Sequence, residues 1–205
     1  MKHIYFFILC IILFNSCHTP KQTYEDTIKQ FQYELNTQYA DASESPLTKE
    51  DLPTFRGLDF FTIDKNYQIE AKLELTPNSP IFEMQTTTDR LPLFKIYGIA
   101  YFTLNGEKCT LNLYQSQDYS NTINHQNLLF LPFNDLTNGI SSYSGGRFID
   151  LETSSAENNT IIIDFNKAYN PYCAYNHKYS CPVPPSENNL PIAITAGVKD
   201  YKKHH

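Results

Sequence analysis

Arg147 carries the clearest chemical potential in this chain of 205 residues. It follows Tyr143-Ser144-Gly145-Gly146 and precedes Phe148. The paired glycines Gly145 and Gly146 let backbone approach a ligand, or make a tight turn. A guanidinium placed there can fork onto a carboxylate or phosphate. In a purely structural role it would pair with an acid such as Asp150 or Asp164. A second block runs from Asp164 to Cys173 and presents Asp164, Asn166, Tyr169 and Asn170 where the chain leaves a strand. Such loops carry sites, and the same residue types are ordinary turn formers. The third block is Cys173-Ala174-Tyr175-Asn176-His177-Lys178-Tyr179-Ser180-Cys181. Cys173 and Cys181 could form a disulfide in an oxidising compartment, worth roughly 2–3 kcal/mol for so short a loop. Cys173, His177 and Cys181 could instead ligate a metal, although the spacing matches no standard zinc pattern. One cysteine could be a nucleophile beside His177, or both could be structural thiols. Glu187, beyond the rigid Pro182-Val183-Pro184-Pro185 segment, is a partner for Arg147, a general base, or part of a surface turn. Walker loops, dinucleotide fingerprints, His-Glu-x-x-His and nucleophile elbows are all missing, and no cofactor is implied.

Periodicity gives the elements that must position these groups. Tyr24, Ile28, Phe31, Leu35 and Tyr39 recur at helical steps, which predicts an amphipathic helix capped by Thr23, its stripe a docking face more than a ligand site. Thr48 to Phe55 suggests a further helical turn. From about residue 58 the period becomes two. Gln68 to Leu75 alternates strictly, and Ile81–Thr87, Leu93–Leu104, Asn127–Phe133, Arg147–Leu151, Thr160–Phe165 and Leu190–Ala196 read as further strands. Ile161-Ile162-Ile163 looks buried on both faces. Asn105-Gly106 is a strong hairpin signal. As a two-residue turn it pairs Leu104 with Glu107, Phe102 with Cys109, Ala100 with Leu111 and Gly98 with Leu113, and makes Cys109 a core thiol. The expected fold is mainly β, an antiparallel barrel or sandwich of about eight strands behind an N-terminal amphipathic helix, α+β by count.

The N-terminus carries an address. Lys2 precedes an apolar run from Ile4 to Phe14, too short to span a bilayer as a helix and suited to a secretory signal. Leu13-Phe14-Asn15-Ser16-Cys17 resembles the lipobox of bacterial lipoproteins, which implies cleavage after residue 16 and lipidation of Cys17. Acyl chains would then anchor the protein stably to a membrane. The expected organisation is a signal over 1–16, a tether over 17–22, one domain over 23–200 and a polar tail over 201–205. The formal charge is −6, and losing the signal removes Lys2 and no acid. With Arg56, Arg90 and Arg147 its only arginines, the chain is a poor candidate for nucleic acid. The expected location is the cell envelope, on the inner or outer membrane and facing the periplasm.

Further blocks resemble an uncharacterised bacterial and archaeal family, domain of unknown function 1684. They are Ser45-Pro46-Leu47-Thr48, Phe55-Arg56-Gly57-Leu58, Leu131-Pro132-Phe133, Gly145-Gly146-Arg147-Phe148 with Asp150, the Asn170-Pro171-Tyr172-Cys173-Ala174-Tyr175-Asn176 run, and Cys181-Pro182 with Pro184-Pro185 and Glu187-Asn188. Ser144 stands where the family usually has another glycine, and Val198 where it usually has an acid. The resemblance implies a signature of Gly145, Gly146, Arg147, Asp164, Asn166, Tyr169, Asn170, Cys173, Tyr175, Asn176, Cys181 and Glu187. It implies no activity. Three functions remain expected. The first is a binding module for a small ligand, with Arg147 clamping an anionic group. The second is a hydrolase with Glu187 or Asp164 as general base. The third is a structural envelope-interaction lipoprotein.

Overall fold

The computed structural model describes residues 22–118 and 127–202. The signal, Cys17 and nearly all of the tether lie outside them. Helix α1 spans Tyr24–Ala40 and opens with a reciprocal capping box between Thr23 and Asp26, which satisfies backbone donors at its exposed start. Its stripe faces inward, with Ile28 and Tyr39 fully buried. Among the described residues no helix is long and apolar enough to cross a membrane.

One antiparallel sheet of eight strands forms a half-barrel beside this helix. Its strands are β1 (Gln68–Leu75), β2 (Phe82–Glu83), β3 (Leu93–Leu104), β4 (Glu107–Ser116), β5 (Leu128–Phe133), β6 (Arg147–Glu152), β7 (Ala156–Glu157) and β8 (Thr160–Asp164). The order is β6-β5-β4-β3-β1-β8-β7, with β2 added on β3. The β3–β4 hairpin turns at Asn105-Gly106 in the expected register, both residues having positive φ, as the tight turn demands. Cys109 is accordingly buried in the core.

Each strand divides its side chains between two faces. Ala71, Leu73, Ala100, Leu111, Leu129, Leu131, Ile149, Ile161 and Ile163 build the main core on one face. Met84, Phe94 and Tyr114, with Phe82, Ile96 and Phe130 against them, form a smaller aromatic cluster. Within β5 and β6 the alternation sets Phe130, Phe148 and Asp150 on the face opposite Leu129, Arg147 and Ile149.

Three strand expectations are corrected. Ile162 is 42% exposed, because it pairs with Glu70 on the outward face of β1. Only Phe82–Glu83 of the 81–87 run is a strand. Residues 190–196 are not a strand, although Leu190, Ile192, Ile194 and Ala196 alternate into the core. Pro191 has no backbone donor, and the segment's carbonyls are taken up by other groups. Ile192 accepts from the Leu136 N–H, and Ile194 and Ala196 accept from the guanidinium of Arg147.

Candidate functional site

Arg147 is fully buried. Its Nη2 donates to Asp135 Oδ2 at 2.8 Å and to the Ile194 carbonyl at 2.7 Å. Its Nη1 donates to the carbonyls of Ala196 and Val198. The guanidinium lies between the rings of Phe61 and Phe133. Burial lowers its pKa and Asp135 opposes that loss, and a guanidinium stays charged in proteins. Asp135 also accepts from the N–H groups of Thr137 and Ile194. The anion clamp expected at Arg147 is therefore corrected: its donors fasten an irregular segment to the sheet. Its acid is Asp135, not Asp150 or Asp164. Residues 147 and 150, three apart on one strand, point to opposite faces.

The other signature residues are also engaged in structure. Gly146 has φ +88°, and a Cβ there would meet Pro184, Asn134 and the Phe133 carbonyl at 2.6–2.8 Å, so the glycine allows close packing. A Cβ on Gly145 would strike the ring of Tyr143. Asp164 accepts from the Tyr24 hydroxyl and the Asn166 N–H. Asn166 donates to the Asp64 carbonyl and to the Tyr24 hydroxyl, tying the start of α1 to the end of β8. Asn170 donates to the Lys199 carbonyl. Tyr175 packs edge-on against Tyr39, and Asn176 caps a turn by accepting from the Lys178 N–H. Glu187 is exposed on a short turn. Glu187, Asp164 and Arg147 do not come together, so the arginine–carboxylate pocket of the hydrolase expectation is not assembled.

Two of the predicted residues do share a cavity. Tyr169 and Cys181 line a groove of about 550 Å³ on the aromatic face of the sheet. Phe94, Phe130, Phe148 and Asp150 come from β3, β5 and β6, and Phe31, Leu35, Gln38 and Tyr39 come from α1. Pro171, Tyr172, Tyr179, Ser180 and Pro182 add the third wall. The rings contact one another edge-on or tilted, with Phe130–Phe148 centroids 4.8 Å apart and Phe148–Tyr169 centroids 6.0 Å apart. Gln38 Nε2 donates to the Tyr172 hydroxyl at 3.2 Å, joining helix to loop.

Asp150 is the groove's one carboxylate among the described lining residues. The Tyr169 hydroxyl donates to its Oδ2 at 2.8 Å. Asp150 meets solvent yet is recessed among rings, and the loss of water raises its pKa, while the bond from Tyr169 pulls it down. Burial, and then the charge of Asp150, raise Tyr169 well above the usual tyrosine range, which keeps its hydroxyl a donor. A smaller cavity of about 210 Å³ adjoins past Asp150, shares Phe94, Phe130 and Pro182, and adds Arg90 and Asp118. Arg90 donates to the hydroxyl and carbonyl of Ser180.

Cys173 and Cys181 are buried and not bonded to each other in the structure. His177 is exposed, apart from them, and no three His, Cys, Asp or Glu among the described residues are grouped to hold a metal. The groove's floor escaped the sequence reading because Phe94, Phe130 and Phe148 look like ordinary strand residues. For Phe130 and Phe148 the signal was parity, since each sits where a half-solvated strand would carry a polar side chain; Phe94 shares the parity of core-facing Ala100 and changes face only through the register shift between Ile96 and Gly98.

Fold and groove together define a class, an antiparallel half-barrel with an aromatic groove under a helix. The chain belongs to the family described as protein of unknown function DUF1684, whose model matches residues 53–199. It is similar to an uncharacterised protein of Haloarcula marismortui solved in solution by NMR, at 32% identity over 86% of this chain and 94% of that one, with a TM-score of 0.67. No curated protein matches the chain at a significant level.

Proposed function

We propose that this protein is a binding module for a small ligand with an apolar body and a cationic or hydrogen-bond-donating head. The observation that carries this reading is a groove of about 550 Å³ walled by aromatic side chains around one recessed carboxylate. The volume and make-up are those of small-molecule sites, largely apolar with a few placed polar groups. The apolar body lies on Phe31, Phe130 and Phe148. The head meets Asp150, which Tyr169 holds in place. A cation is favoured because it restores to the carboxylate the charge stabilisation that it loses with water. We further propose that the chain is a lipoprotein cleaved before Cys17 and hung by its acyl chains from an envelope membrane, facing the periplasm. The apolar run behind Lys2 and the Ser16-Cys17 pair support this.

The ligand reading is tested on the full chain with Nile red as an apolar probe and dodecylamine as competitor. Dodecylamine displaces the dye, and Asp150→Asn weakens the amine about 10- to 100-fold, as loss of a charge-assisted bond should. Phe31→Ala, at a half-buried wall position, lowers dye affinity while leaving the melting temperature nearly unchanged. Dye binding unaffected by Phe31→Ala, or amine competition unaffected by Asp150→Asn, would refute the site. The anchor is tested by palmitate labelling in a bacterial host: Cys17→Ser abolishes incorporation, and retained label would refute it.

A further inference from the structure

The groove reading leaves the thiols unused. Cys173 and Cys181 are each only 5% exposed, yet Cys181 forms part of the groove wall. The Cys173 N–H donates to Cys181 Sγ at 3.1 Å, which brings the two side chains together, and each cysteine is the largest influence on the other's proton affinity. The Tyr143 hydroxyl stands 3.9 Å from Cys173 Sγ. Cys181 is fixed on its other side by Thr87, whose hydroxyl accepts from its N–H at 3.1 Å and whose N–H donates to its carbonyl at 2.9 Å. Two cysteines joined through that N–H···S bond beside an open groove, on a pinned backbone, are arranged for sulfur chemistry and not for packing alone.

The proton balance fits. The bond from Cys181, and then the approach of Tyr143, bring the Cys173 thiol down to about 6, against the raising effect of burial. Cys181 is pushed up in turn, chiefly because it donates that bond. The pair thus holds one proton near neutral pH, shared along one hydrogen bond, and its values belong to the pair more than to either sulfur. Cys109, on the main-core face, has no cysteine neighbour among the described residues, and burial raises its pKa.

We propose that Cys173 and Cys181 form a thiol–disulfide exchange site opening into the groove, with a low-molecular-weight disulfide as co-reactant. The shared proton shifts to Cys173, and the Cys181 thiolate attacks one sulfur of the small disulfide. That S–S bond breaks, and the departing half leaves as a thiolate that takes up the Cys173 proton. Cys173 then attacks Cys181 Sγ, expels the second half as a thiolate that is protonated by solvent, and closes the Cys173–Cys181 bond. Two electrons and one proton pass from the cysteines to the small disulfide, and solvent supplies the second proton. Closure cross-links the loop carrying Tyr179 and Ser180, so the oxidation state reshapes one groove wall.

The test uses reduced full chain incubated with glutathione disulfide, quenched by alkylation and mapped by peptide mass spectrometry. A Cys173–Cys181 cross-linked peptide forms at least about tenfold faster than any adduct at Cys109, as its thiolate character requires. Cys173→Ser traps glutathione on Cys181, because the resolving thiol is gone. Cys181→Ser leaves Cys173 unmodified, because the groove-facing sulfur is gone. A persistent glutathione adduct in the wild-type chain, or a pair no more reactive than Cys109, would overturn the proposal.

Discussion

Replacing Arg147 by Met tests whether this arginine belongs to the fold or to a ligand. Methionine fills much of the same volume and removes the charge. Asp135 is then left fully buried without its cation, and the carbonyls of Ile194, Ala196 and Val198 lose their donors. Breaking one side of a buried ion pair costs about 3–5 kcal/mol. That is a large share of a typical domain stability of about 5–15 kcal/mol. With a urea slope near 2 kcal/mol per M, the unfolding midpoint should fall by about 2 M. Adding Asp135→Asn to Arg147→Met should recover part of the loss, since the orphaned charge is removed and the two sites are coupled. Urea unfolding followed by far-ultraviolet circular dichroism reads both effects. A midpoint within about 0.3 M of wild type, with an unchanged slope, would refute the argument. A stable variant that had also lost dye binding would return Arg147 to the ligand.

Other expectations follow from the same geometry. The raised pKa of Asp150 means that the folded state holds its proton more tightly than the unfolded state. Stability is therefore lost as pH rises through the unfolded and then the folded pKa. Asp150→Asn should melt higher than wild type at neutral pH, and the gain should vanish below the unfolded carboxylate range; calorimetry across pH checks this. The depressed Cys173 works in the opposite sense, its thiolate adding stability that is present at alkaline pH and lost as pH falls through about 6. Cys181 and Tyr143 are the titratable neighbours that act on this group. The stability advantage of reduced wild type over Cys173→Ser should shrink between about pH 9 and 6, as thermal melts would show. Gly146→Ala combines a positive φ with contacts under 3 Å. It should destabilise the fold by more than about 1 kcal/mol, and by more than Gly106→Ala, which shares the positive φ but whose added Cβ meets nothing.

Local rules made much of the architecture legible. The α1 stripe, its Thr23 cap and the β3–β4 register all follow from spacing and turn chemistry, and each is found in the structure. A charge beside glycines looks like surface, which is why the sequence suggests a ligand clamp at Arg147. What buries it is residues 190–198, whose carbonyls lack strand partners, and strand periodicity gives no hint of that. The groove was half legible. Tyr169 and Cys181 lie in blocks rich in polar residues and cysteine, whereas the helical spacing of Phe31 and Leu35 suggests only a docking stripe. Asp150 looks from its proximity like a partner for Arg147, although a count of three along the strand separates them. The long-range contact that gives it meaning is the hydroxyl of Tyr169, nineteen residues on.

The central claim is that ligands enter the aromatic groove and meet Asp150. Amide chemical-shift mapping by NMR tests it most directly, with submicellar dodecylamine titrated into the full chain. The account predicts saturable shifts at Phe130, Phe148, Asp150, Tyr169 and Tyr172 that are strongly reduced in Asp150→Asn, while Ile194 and Ala196 stay still. Shifts centred on the Gly145-Gly146-Arg147 turn and its carbonyl partners, or no saturable shifts in the groove, would contradict it.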